Sequence, residues 1–214
     1  MTRLLLILAV LLISTIWSSA QNTTAPEEFE SGFIPYPKGA LILFSGTQHS
    51  FSVDIVSDSV RPTEQPNFVL VDGQVVQCIN IGIPEDIDVK DLDDERTKEI
   101  LRGYIDYELA YFKDELEQDY ENLSIDYVVI NKRLFAVWSL EMPKLRDKVE
   151  KQIYMTTVCF NQILNLNSPV VTGSDAGKAK QKLMTIAETL RTYDTHLDFQ
   201  LIHQTLNDNG RDGK

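Results

Sequence analysis

Histidine and cysteine are scarce in this chain, three of the first and two of the second in 214 residues. Two cysteines cannot build the dense disulfide framework of a small secreted scaffold, nor supply a four-thiolate zinc site. His49, His196 and His203 stand in no His-Glu-x-x-His pair, and no Gly-x-Ser-x-Gly elbow is present. Basic residues are in deficit, with 20 Lys and Arg against 32 Asp and Glu and a net charge of −12. That balance argues against nucleic acid and anionic membranes as partners, because both are themselves negative. No later apolar run approaches the roughly 20 residues that a membrane-spanning helix requires.

One shorter apolar run is present, at the start. Arg3 supplies a positive flank, Leu4 to Ile13 is unbroken and apolar, and Ser18-Ser19-Ala20 is a small-residue cleavage site. The run is too short to span a bilayer. It predicts a signal peptide over residues 1–20, a mature chain from Gln21, and a soluble, secreted or periplasmic protein without stable membrane insertion. Residues 21–31, polar and acidic, predict a flexible lead-in, and residues 204–214 a flexible tail. Residues 32–203 then form a single domain, long enough to bury its own core.

Within that domain, apolar segments pair around short polar turns. Asp72-Gly73 between "NFVLV" and "QVVQCINI" is a strong hairpin signal, because both residues tolerate the positive φ of a tight turn. Asn131-Lys132 joins "IDYVVI" to "RLFAVWSLEM", and Asn161-Gln162, which lacks glycine, is either a turn or a bulge between "IYMTTVCF" and "ILNLNSPV". In the second hairpin Leu134, Ala136, Trp138 and Leu140 take one face, and Phe135, Val137 and Ser139 the other. With "FSVDIV", this predicts an α+β fold with a mostly antiparallel sheet of about six or seven strands. Two amphipathic helices pack against it. Leu101, Ile105, Leu109, Phe112 and Leu116 form the stripe of the first, with Asp93, Asp94 and Glu95 at its positive N-terminal end. The second, from about Ser174 to Arg191, aligns Ala176, Ala179, Leu183, Ile186, Ala187 and Leu190.

The motifs that carry chemistry fail on spacing. Gly173 and the Gly177-Lys178 pair suggest a phosphate loop, but only three residues separate the glycines and Ala179 stands where the magnesium-holding Ser or Thr belongs. Pro169 ending a strand and Ser174 or Asp175 capping a helix account for the same residues. In "PEDIDVKDLDDER", Asp86 and Asp88 alternate as calcium ligands do, but Lys90 takes the third position and no glycine follows. A Ser-His-Asp set from Ser45, His49, Ser50 and Asp54 or Asp58 has the residue types without a motif. His196, Asp198 and His203 have ligand types without closed spacing, and His196 and His203 are expected in solvent. Tyr104, Tyr107, Tyr111 and Tyr120 either line a ligand face on the first helix or form its boundary with the sheet. Cys78 and Cys159, on separate strands, leave open a disulfide or two buried thiols.

The order of elements through "RLFAVWSLEMP", "MTTVCFNQILNLNSPV" and "DAGKAKQKLMTIAETLRTY" resembles the C-terminal half of the PsbP-like and DcrB-like secreted domains. "GFIPYPKGA" is similar to the aromatic-Pro-Gly segment near their start. The resemblance implies an antiparallel sheet flanked by helices and a non-catalytic accessory or binding role, with no catalytic residues to carry over. The expected function is a binding or accessory protein of the cell envelope, without a catalytic, cofactor-binding or metal site and without a cofactor. Its partner is an unknown protein or small molecule. Whether it is an enzyme stays open, with the balance against. A hydrolase assembled from distant residues would show a pocket of convergent polar groups with shifted pKa values. A docking subunit of an envelope assembly would show an exposed apolar patch.

Overall fold

Successive side chains of a strand point to opposite faces, and the segment Arg133–Glu141 is buried on both. Ala136, Trp138 and Leu140 enter one apolar cluster, and Phe135 and Val137 another. A strand of that kind belongs between two layers. The computed structural model, which describes residues 27–116, 121–142 and 149–209, places it there.

The chain opens with strands β1 (Glu30–Tyr36), β2 (Gly39–Ser45), β3 (Ser50–Val56), β4 (Val60–Pro62), β5 (Phe68–Val71) and β6 (Gln74–Gly82). Helix α1 (Asp94–Leu116) follows, then β7 (Glu121–Ile130), β8 (Arg133–Glu141), β9 (Val149–Cys159) and β10 (Gln162–Val171). Helix α2 (Ala176–Ala187), strand β11 (Arg191–Tyr193) and helix α3 (Phe199–Asn209) close the described chain. The larger sheet has seven strands in the order β4-β5-β6-β10-β9-β8-β7, and the smaller has four, β1-β2-β3-β11. Every pairing is antiparallel.

The larger sheet is a wall between two cores. On one side Phe135, Val137, Met155 and Leu166 meet Phe44, Phe51 and Val53 of the smaller sheet and Leu183 and Ile186 of α2. On the other, Trp138, Tyr154 and Ile163 meet Ile100, Leu101, Tyr104 and Ile105 of α1. Trp138 and Tyr154 stack with centroids 3.7 Å apart. The helices begin as their acidic caps require. The Asp93 carboxylate accepts the Arg96 N–H at 2.8 Å, and Asp175 accepts those of Gly177 and Lys178.

The α+β class, the antiparallel sheet of seven strands and the stripes of α1 and α2 agree with the sequence. Several details differ. "FSVDIV", β3, belongs to the smaller sheet, which had not been expected. The β9–β10 turn is Phe160-Asn161, one residue early, because Gln162 is buried and receives a bond from Asn80. Helix α2 stops at Ala187, since the Thr189 hydroxyl accepts the Asp54 N–H at 2.7 Å and the chain then pairs with β3. Residues 30 and 31, expected in the lead-in, open β1, and residues 204–209, expected in the tail, belong to α3. The signal peptide expected over residues 1–20 lies outside the described residues.

Cys78 and Cys159 are free and buried. They sit opposite Leu166 and Gln162 of the intervening β10. Two strand spacings across, roughly 10 Å, and four residues along, roughly 13 Å, put them beyond a disulfide's reach. Burial pushes each thiol up to about 12.

Candidate functional site

The serines and histidines near residue 45 meet, but as fasteners. The Ser45 and Ser50 hydroxyls lie 3.0 Å apart, and both accept the Leu197 N–H, at 3.1 and 2.9 Å. They also contact the Leu197 and Thr195 carbonyls. His196, not His49, reaches Ser45, at 3.1 Å, but the same Nδ1 lies 2.8 Å from the Gly46 carbonyl. A carbonyl can only accept, so Nδ1 carries its hydrogen and cannot take a proton from Ser45. Asp54 accepts the Tyr36 hydroxyl at 2.5 Å instead of orienting a histidine. Asp58 is exposed.

His49 donates to the Glu27 carboxylate at 2.6 Å and packs against Phe160, the rings tilted at 32° with centroids 4.3 Å apart. The other Glu27 oxygen accepts the N–H groups of Gln48 and His49 at 2.5 and 2.8 Å. Burial alone would raise the Glu27 carboxyl, but these bonds outweigh it and hold the group below its ordinary value. The histidine thus fixes the segment before β1 to the β2–β3 turn.

The remaining candidates have structural work of their own. Asp198 caps α3 by accepting the Leu201 N–H at 2.8 Å, while His203 is exposed on that helix. Asp88 accepts the Lys90 N–H at 3.0 Å, and Lys178 is exposed on the first turn of α2. Among the described residues no three His, Cys, Asp or Glu side chains are grouped to hold a metal ion.

A cavity of about 490 Å³ lies between α1, the ends of β6 and β10 and the segment after β6. Its walls are Ile81, Ile83, Ile87, Ile100 and Ile163. Alternation places Ile81 and Ile163 on the α1 face of the sheet, where they are register partners. Helical spacing places Tyr104 and Tyr107 on the flank of α1 that lines the cavity. Tyr107 is 66% exposed at the rim, and Tyr104 is buried. Arg96 and Glu99, paired at 2.8 Å, stand at the opening. Gly103 lies between Glu99 and Tyr107, and a Cβ there would touch nothing within 4 Å.

At the end of the Tyr104 ring the structure becomes polar. The Tyr104 hydroxyl accepts the Asn165 amide at 2.7 Å and bonds the half-buried Glu108. Burial first, then the Glu108 charge, raise the Tyr104 hydroxyl, and burial raises Glu108. Asn165 is 2% exposed, and its Oδ1 is without a partner among the described residues.

Tyr104 therefore forms part of the boundary with the sheet and also lines the cavity, Tyr107 lines its rim, and Tyr111 is exposed; Tyr120 lies outside the described residues. The isoleucines of the cavity had not been singled out in the sequence. Their signal was the alternation of Ile79, Ile81 and Ile83 and a second apolar stripe on α1, Ile100 with Tyr104, beside the first.

No family model matches the chain, and no curated protein does. The solution structure of cyanobacterial PsbP (CyanoP) from Synechocystis sp. PCC 6803 is similar in fold, at 10% sequence identity and a TM-score of 0.42, covering 80% of this chain and 96% of that one. Among the described residues no helix is long and apolar enough to cross a membrane.

Proposed function

We propose that this protein is a secreted, non-catalytic binding protein whose site is the cavity under α1, where it takes the apolar body of a small ligand. The carrying observation is the wall of five isoleucines enclosing a volume within the usual range for ligand sites, roughly 300–1,000 Å³. A hydrolase reading would need a nucleophile beside a base; Ser45, whose neighbouring imidazole nitrogen carries a hydrogen, does not supply that pair. Secretion rests on Arg3, the run from Leu4 to Ile13 and Ser18-Ser19-Ala20, and N-terminal sequencing of the mature chain should begin at Gln21.

The cavity reading is tested by filling it. Gly103→Trp adds an indole at an exposed helix position with room for its Cβ, and replacing a mid-helix glycine does not cost helix propensity. The neutral dye N-phenyl-1-naphthylamine should bind the native chain saturably. The variant should melt at an unchanged temperature and bind no dye. Equal binding by both proteins would remove the cavity from consideration.

A further inference from the structure

The isoleucine walls select the body of a ligand; the polar atoms around them select its head. The choice of head rests on the cavity being the binding site. On α1, residues 99, 103 and 107 lie in one row and residues 100, 104 and 108 in the next. Gly103 leaves a notch in the first row, open for 4 Å around its Cβ position, with Glu99 one turn before it and Tyr107, exposed, one turn after. Glu108 and Asn165 bond the Tyr104 hydroxyl behind the second row and do not line the cavity. Of the side chains that line the cavity, Glu99 offers an acceptor and Tyr107 a negative π face at the rim. Among the described residues, the one cationic donor lining the cavity, Arg96, is already engaged by Glu99.

We propose that the cavity binds a lipophilic amine, its apolar body between α1 and the sheet and its ammonium in the Gly103 notch, against the Glu99 carboxylate and the Tyr107 ring. An ammonium there gains an ion pair and a cation–π contact together. A carboxylate head would have to displace Glu99 from Arg96, whereas an ammonium can add to the second Glu99 oxygen with that pair intact. An alcohol meets one acceptor without the charge. The net charge of −12 also raises the local concentration of cations over anions.

Three probes with one body separate these cases: 2-naphthylmethylamine, 2-naphthylmethanol and 2-naphthoate, titrated by naphthalene fluorescence at low ionic strength. The amine should bind the native chain about tenfold tighter than the alcohol, and the naphthoate weakest. Glu99→Gln, an exposed change that frees Arg96, should abolish the amine's advantage and strengthen the naphthoate. Tyr107→Ala should reduce the amine's advantage and leave the alcohol nearly unchanged. If the alcohol or the naphthoate equals the amine on the native chain, the amine assignment falls and the cavity reading stands. If the advantage survives both substitutions, the head does not lie in the notch. If no probe binds, or Gly103→Trp leaves binding intact, the cavity reading itself falls.

Discussion

Two carboxyls, Glu27 and Glu108, show how opposite surroundings give opposite pH signatures. The folded chain holds the Glu27 carboxyl below its ordinary 4.5 through His49 and two backbone N–H groups. Its stabilisation is therefore full above the unfolded value and is lost as pH falls through the lowered one. Glu27→Gln should cost about 1 kcal/mol at neutral pH, and the gap between variant and native chain should close in acid, measured by urea unfolding at a series of pH values. Glu108 runs the other way. Burial raises it, so its contribution is full below the unfolded value and is lost as pH rises through the raised one. Glu108→Gln keeps an acceptor for Tyr104 and should leave the protein at least as stable at neutral pH, with the difference vanishing in acid. A loss of stability at neutral pH would show that the Glu108 charge is held by a partner stronger than Tyr104. Neither environment could be read locally, since Glu27 meets His49 and Glu108 meets a hydroxyl that itself rests on Asn165.

Among elements, the hairpins were legible and the long-range closures were not. Asp72 and Gly73 have φ of 49° and 81°, and Asn131 and Lys132 have 50° and 66°, the left-handed pairs that tight hairpins demand. Phe160 also turns with a positive φ, 56°, a conformation that a bulky residue rarely adopts. Its partner is the His49 ring from another hairpin, so composition pointed to the polar pair one residue later. Strand β11 is three residues long and exists through its pairing with β3, so no period within it could announce it. The periodicity of α1 did fix its buried side, with depths that differ. Trp138 is 1% exposed, and Trp138→Asp should unfold the domain by burying an unpaired ion. Leu109 is only half-buried, and Leu109→Asp should cost about 1–2 kcal/mol and leave a folded, less stable protein, as circular dichroism melts would show. Equal effects from the two would mean that α1 lies closer over the sheet.

For the whole molecule, the two thiols report on the core between the sheets. In the native protein neither Cys78 nor Cys159 should react with iodoacetamide at neutral pH, because both are buried and their thiols are pushed up to about 12. After denaturation without reductant, the chain should gain two labels by mass; an unlabelled chain would place a bond where the strand register forbids one. That core also sets a timetable. Ile42, Phe44, Phe51, Val53 and Ile55 emerge early in synthesis, but the α2 residues they pack against, Ala179 to Ala187, come about 130 residues later. At about 5–20 residues per second, the nascent β2–β3 hairpin meets the strands of the larger sheet first, and its contact with α2 is completed on the order of ten seconds after the hairpin is made. The core between the sheets thus closes last at α2, and a chain cut short before residue 176 would lack that cover.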